Sequence, residues 1–280
     1  MIFRACHWNV QFPRTPLVMG ILNVTPDSFS DGGQFLDRKK AVEHAVQMSE
    51  EGADIIDVGG ESTRPRSEPV SESEELKRVV PIIQALKDET KVPISIDTQK
   101  AAVAKEALAA GAIIVNDIAA NREDPEMWQI VSMAKAGYVL MHMQGTPQTM
   151  AENPSYKDVV GEVGEFFQSR LELLKKSGVA AEQVLLDPGI GFGKNVEHNL
   201  QLLANLKRFT IYERPVLMGA SRKSFIGKLL GGDVSERLPG SLACAIWAAL
   251  NGVQIIRTHD VRATVEAVRM VGEIQSRHRP

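Results

Sequence analysis

Cysteine is nearly absent from this chain: Cys6 and Cys244 are two thiols among 280 residues, too few and too far apart for a disulfide framework or a cysteine zinc cluster. Both read as reduced thiols of a cytoplasmic protein. An excess of charge of one sign is missing as well, since 32 Lys and Arg stand against 35 Asp and Glu for a formal net charge of -3. That balance argues against non-specific nucleic-acid binding, while leaving room for a local basic pocket. The longest apolar stretch, near Ala243 to Leu250, falls well short of the roughly 20 residues that cross a bilayer. The opening Met1-Ile2-Phe3-Arg4-Ala5-Cys6-His7-Trp8 has neither the apolar run nor the small-residue cleavage site of a signal peptide. No HExxH, Cys-x-x-Cys or histidine cluster suggests zinc. What remains, 44% hydrophobic and 24% charged residues with 5% aromatics, is the composition of an ordinary folded domain.

From Leu17 onward short apolar runs alternate with amphipathic helical stretches. Eight runs qualify as strands: 17–22, 55–58, 94–96, 113–115, 139–141, 184–186, 216–218 and 253–256. Helical spacing falls between them at 38–51, 72–87, 100–110, 125–136, 156–176, 197–208, 222–230 with 235–250, and 262–276. Alternation of this kind means parallel pairing, in a closed barrel or a long open doubly wound sheet. Three features favour a single (β/α)8 TIM barrel. The length suits a fold that takes about 250 residues. Helices end in glycine shortly before the next strand, at Gly52, Gly111 and Gly137. The segments after the strands, by contrast, are long and polar, which places the active site at the C-terminal face. Residues 1–16 form an N-terminal extension in which His7, Trp8, Val10 and Phe12 suit a small hairpin on the barrel floor. Residues 17–280 form the barrel, with no second domain.

The strand ends carry polar side chains in unusual number. Asn23, the group Glu61-Ser62-Thr63-Arg64, Asp97-Thr98, Asn116-Asp117, His142, Asp187, Lys223-Ser224, and Arg257 with His259 all fall there. Each has a plainer reading taken singly: Asp187 before Pro188 as a turn, Asp97-Thr98 as a helix cap, His142 as a hydrogen-bonded structural imidazole. Together they suggest three kinds of chemistry. Arg257 and His259, two apart at a strand end, point the same way and suit an anion, with Arg222 and Lys223 beside them. Arg222 either reaches that anion or supports its loop. Asp97, Asn116 and Asp187 suit a heterocycle rich in N–H groups, and their carboxylates stabilise a cation that develops on it. Gly189, Gly191 and Gly193 form a loop that approaches a ligand closely while Phe192 offers a ring face; their order does not fit a dinucleotide fingerprint. Asn23, near Asp27 and Asp31, supplies hard oxygens for Mg²⁺ held partly by a substrate's phosphates.

Five stretches, in order, add up to a family. Gly20-Ile21-Leu22-Asn23-Val24-Thr25-Pro26-Asp27-Ser28-Phe29-Ser30-Asp31-Gly32-Gly33 and Asp57-Val58-Gly59-Gly60-Glu61-Ser62-Thr63-Arg64-Pro65 closely resemble the two signature stretches of dihydropteroate synthase. Asp187-Pro188-Gly189-Ile190-Gly191-Phe192-Gly193-Lys194, Ser221-Arg222-Lys223-Ser224-Phe225-Ile226-Gly227 and Arg257-Thr258-His259-Asp260 resemble its later blocks. The resemblance implies a cytoplasmic, often dimeric barrel, a target of sulfonamides. It implies condensation of 6-hydroxymethyl-7,8-dihydropterin pyrophosphate with p-aminobenzoate to 7,8-dihydropteroate, by SN1-like loss of pyrophosphate assisted by Mg²⁺. By matching positions, Asp97, Asn116, Asp187 and Lys223 would bind the pterin and Asn23 the metal. Thr63, Arg257 and His259 would hold the pyrophosphate. Phe29, Arg64, Pro65, Phe192 and Ser224 would frame p-aminobenzoate, and Asp97 would stabilise the cation. Arg66 stands where the family commonly has Gly. Rival readings are a pterin-binding methyltransferase domain, a Schiff-base aldolase using Lys223, and a pterin-binding relative without turnover.

Overall fold

A strand buried on both faces must be apolar along its whole length, and the strands of this chain are so in their lower parts. The structure, a computed structural model, describes residues 1–25, 33–62, 67–122 and 124–277. A two-stranded antiparallel hairpin, β1 (Ile2–Ala5) and β2 (Trp8–Gln11), comes first. The alternating layer follows: β3 (Leu17–Asn23), α1 (Gly33–Glu50), β4 (Ile55–Gly59), α2 (Glu72–Glu89), β5 (Ile94–Asp97), α3 (Ala101–Ala110), β6 (Ile114–Asp117), α4 (Met127–Ala134) and β7 (Gly137–Met141). It continues with α5 (Val159–Lys176), β8 (Val184–Asp187), α6 (Val196–Ala204), β9 (Leu217–Met218), α7 (Ser224–Leu230), α8 (Leu238–Leu250), β10 (Ile255–Thr258) and α9 (Val261–Arg277). All eight strands of the main sheet are parallel, in the order β8-β7-β6-β5-β4-β3-β10-β9. A parallel bridge between Leu186 and Val216, with Leu186 N donating to Pro215 O at 2.9 Å, joins the two ends into the expected TIM barrel.

Helix ends follow local chemistry. Ser71 caps α2 by accepting from Glu74 N, with Glu72, Glu74 and Glu75 in the first turn and Lys87 in the last, the arrangement a helix dipole favours. Asp158 caps α5 and Asn195 caps α6 in the same way. Of the three glycines expected to end helices, Gly111 caps α3 and Gly52 follows α1 at φ +97°, but Gly137 does not cap α4. Lys135 takes the left-handed conformation there, at φ 53°. Gly137 instead opens β7, where a Cβ would lie 2.6 Å from Phe3 Cζ and 3.0 Å from Ala5 Cβ; the hairpin leaves no space for a side chain.

That hairpin lies against the lower end of the barrel. Phe3, Ala5, Val10 and Phe12 pack with Leu17, Met19, Ile55, Ile114, Val139, Leu185, Leu217 and Ile255 in one apolar cluster. Trp8 stands edge-on to Phe3 with ring centroids 6.0 Å apart, whereas His7 is exposed at the turn and takes no part in the packing. A larger cluster fills the space between sheet and helices. The interior is therefore oily at its base, and buried polar side chains begin above it, at the level of Asp57 and Ser95. No helix among the described residues is long and apolar enough to cross a membrane.

Candidate active site

Register brings the polar residues together. Asn23 lies beside Gly59, Gly59 beside Asp97, and Asp97 beside Asn116 across four adjacent strands. Asp57, one inward position below Gly59, is fully buried. Its Oδ2 accepts from Asn116 Nδ2 at 2.9 Å and from Arg257 Nε at 2.6 Å. Arg257 Nη2 donates to Asp97 Oδ2 at 2.6 Å. One guanidinium from β10 thus bridges carboxylates of β4 and β5. Asp97 Oδ1 and Asp57 Oδ1 are buried without a donor. Burial pushes the Asp97 carboxyl up to about 7, with Asp57 and Glu75 adding to the rise and Arg257 and Lys223 opposing it. Burial also raises Asp187, whose Oδ1 accepts from Gly189 N at 2.7 Å.

Lys223 comes in from the loop after β9. Its Nζ stands 3.9 Å from the centroid of the Phe192 ring, a cation–π contact. Burial, followed by the charge of Arg257, lowers it to about 8, while Asp187 and Asp97 pull the other way. Phe192 belongs to an apolar wall with Ile118, Met141, Met143 and Met150. Ser224 is the exposed first residue of α7. That helix begins later than the spacing predicted, because Arg222 sits at φ 57°, a left-handed conformation that no helix continues through.

Arg222 supports its loop rather than reaching the site. Its Nε and Nη2 bind the Asp260 carboxylate at 3.0 and 2.5 Å, its N–H donates to Ser241 Oγ, and its carbonyl accepts from Arg237. Arg222 and Asp260 thereby tie the Lys223 loop to the end of β10. Ser221 does the same one residue earlier, accepting from His259 N at 3.1 Å and meeting His259 Nδ1 at 3.1 Å. Burial, with Arg257, Arg222 and Lys223 nearby, lowers His259 to about 3. It is a neutral imidazole at working pH and offers an anion a hydrogen bond, not a charge.

Asn23, Asp97, Asn116, Asp187, Phe192, Lys223, Arg257 and His259 thus gather around one mouth. Phe29, Thr63, Arg64 and Pro65 lie outside the described residues, as do Asp27, Asp31 and Arg66. The plainer reading given for His142 holds, and Asp117 close by is structural as well. Asp117 accepts from Ala119 N, Asn121 N and Tyr138 Oη and shapes its turn. His142 is a buried imidazole bonded to Lys194. Asp57 was missed as a site residue, although an Asp inside the otherwise apolar run Ile55–Gly59 is a signal of a buried ionic role. Also missed is Lys100 between Glu61 and Glu75, at 2.5 Å from each, beneath the loop that follows β4.

This arrangement has close counterparts. A pterin binding enzyme family model matches residues 19–259. Dihydropteroate synthase of Escherichia coli (strain K12) is 52% identical over 256 residues, covering 91% of this chain and 90% of that protein. The chain belongs to the dihydropteroate synthase family. Among solved members, the Yersinia pestis dihydropteroate synthase with a sulfonamide drug complex superposes with a TM-score of 0.93 at 47% identity, over 99% of this chain and 100% of that one. The Xanthomonas albilineans dihydropteroate synthase in complex with 7,8-dihydropteroate gives 0.89 at 41% identity, over 99% of each. Dihydropteroate synthases are enzymes of folate biosynthesis and TIM barrels, so the sequence expectation of family and fold is met.

Proposed function

We propose that this chain condenses 6-hydroxymethyl-7,8-dihydropterin pyrophosphate with p-aminobenzoate, releasing 7,8-dihydropteroate and pyrophosphate, with pyrophosphate leaving before the amine attacks. The observation that carries this reading is the convergence of Asp97, Asn116 and Asp187 with Lys223 and Arg257 at one end of the barrel. Hydrogen-bond acceptors on three strands suit the N–H groups of a pterin. The carboxylates also stabilise positive charge on the pterin methylene carbon once its C–O bond breaks, and Asp97 is the group assigned to that carbon. Arg257 Nη1 makes no hydrogen bond among the described residues and is assigned, with the neutral His259, to the departing pyrophosphate. Phe192 and Ser224 are assigned to p-aminobenzoate, whose amine attacks as a neutral group and then gives up its proton.

Magnesium fits what the chain offers. Asn23 Oδ1 and Asp97 Oδ2 both border the space above Gly59, where a Cβ would lie 3.9 and 3.8 Å from the two. These are hard oxygens, and no group of three His, Cys, Asp or Glu among the described residues forms an all-protein metal cage. A single amide oxygen suits an ion whose other positions are taken by water and substrate phosphates. Asn23 would hold the ion, which when bound neutralises charge on the leaving group. A homodimer and a cytoplasmic location complete the reading. In support, α7, α8 and α9 expose Leu230, Trp247, Leu250, Met270 and Ile274, an apolar face that a second copy would cover.

Purified protein given the pterin pyrophosphate, radiolabelled p-aminobenzoate and Mg²⁺ should form labelled dihydropteroate, and chelation should stop it. No label in the product in the presence of metal overturns the reaction assigned; turnover undiminished by chelation overturns the metal.

A further inference from the structure

Lysine is seldom buried without a carboxylate against it, yet Lys194 is 8% exposed and its Nζ meets neutral acceptors: His142 Nδ1 at 3.0 Å, His142 O at 3.3 Å and Phe192 O at 2.9 Å. An ammonium has three N–H groups and no lone pair, so three acceptors satisfy it completely. Donation to Nδ1 leaves the imidazole proton on Nε2. Asp187 favours the charge from a distance, although burial lowers Lys194 to about 7. The acceptors come from two segments. His142 follows β7, and Phe192 lies in the glycine loop after β8.

Those segments pack backbone to backbone at this point. Gly189 sits at φ +68°, and a Cβ there would be 1.9 Å from His142 O and 3.4 Å from Lys194 Nζ. The loop is closed on its other side by Tyr156 Oη donating to Gly193 O at 2.9 Å. The residue whose carbonyl Lys194 holds is the one whose ring lies 3.9 Å from Lys223 Nζ. A continuous set of contacts therefore runs from Lys194 through Phe192 to Lys223.

We propose that Lys194 is a positioning residue for the second substrate's site: it clamps the loop after β8 to the loop after β7 and so sets the Phe192 ring against Lys223. The inference rests on the reading above that Phe192 and Ser224 frame p-aminobenzoate, beside the pterin that Lys223 would bind. Lys194 itself touches neither substrate.

Lys194→Met keeps the length of the side chain and removes all three donors. With each substrate varied in turn, the KM for p-aminobenzoate should rise about tenfold, the size of one lost charged hydrogen bond. The KM for the pterin pyrophosphate and kcat should stay within about twofold of the parent. An unchanged KM for p-aminobenzoate, or equal rises in both KM values, overturns the inference. Should Lys194→Met fail to fold, a pair at the acceptor decides: His142→Asn keeps an acceptor near the place of Nδ1 and should hold the KM for p-aminobenzoate near the parental value. His142→Leu removes it and should raise that KM; equal behaviour of the two overturns the inference. Amide hydrogen exchange supplies a readout that needs no turnover. Loss of protection in Lys194→Met or His142→Leu should be confined to residues 142–144 and 187–194, and unchanged protection there overturns the clamp. A parent that makes no dihydropteroate refutes the reaction, whereas a turning-over parent with an insensitive variant refutes only the role of Lys194.

Discussion

Arg257 touches both Asp57 and Asp97, and replacing it with Met puts the ionic interior of the barrel to a test. Asp57 is fully buried and Asp97 8% exposed, and the second oxygen of each already lacks a donor. Stranding a buried charge by removing its partner costs about 3–5 kcal/mol. Asp97 has an escape, which is to take a proton. Burial holds its carboxyl near 7 against the pull of Arg257, so without Arg257 it must rise further. A carboxyl whose folded value exceeds its unfolded value of ~4 keeps a proton that the unfolded chain releases, so stability falls with rising pH by ~1.4 kcal/mol per unit across that window. In the parent this loss ends near pH 7; in Arg257→Met it continues above 7. The destabilisation caused by the substitution should therefore be constant from pH 6 to 7 and grow by ~1.4 kcal/mol from pH 7 to 8. Urea unfolding followed by circular dichroism at the three pH values measures it. Adding Asp97→Asn should flatten the profile. A destabilisation below about 1 kcal/mol at pH 8, or one equal at pH 6 and 8, would refute the bridge, since a buried pair is worth more than that when broken.

Two further outcomes are expected. Lys223 is depressed to about 8 by burial, so its charge is lost as pH rises through 8, and kcat/KM for the pterin pyrophosphate should fall between pH 7.5 and 9; the limb should be absent in Lys223→Arg, whose charge persists, and its survival there would assign the limb to another group. Phe3→Ala should lower stability by about 3–5 kcal/mol while leaving both KM values unchanged, because Phe3 packs at the end of the barrel opposite the site; a shift in either KM would contradict that separation.

Strands were legible because parallel pairing buries both faces, which leaves unbroken apolar runs such as 184–186. Helix ends were less so. The stretch expected to be one helix over 197–208 stops at Ala204 and passes through Asn205 into a 3-10 segment, Leu206–Tyr212, a change that apolar spacing does not encode. The helix expected from residue 125 begins at Met127, because Asp124 turns back to accept from Glu126 N and from Ala101 N of another unit. Within the site, residues at strand ends were recognisable by position alone. Their partnerships were not: the contacts of Arg257 with Asp57 and Asp97 span 200 and 160 residues of sequence, and the commitment of Arg222 to Asp260 depends on a left-handed turn that its neighbours impose. Spacing says which way a side chain faces, and only the closed barrel says what it meets.

The parallel bridge between Leu186 and Val216 also bears on ligand entry. β9 has two residues, so the ring is stitched most sparsely between β8 and β9. Asp187 stands on one lip of that seam, and the Lys223 loop leaves from the other. Any parting of the stitches widens the gap between an acceptor and a cation assigned to the same substrate, so the give of the barrel wall and the grip of its mouth are one mechanical property.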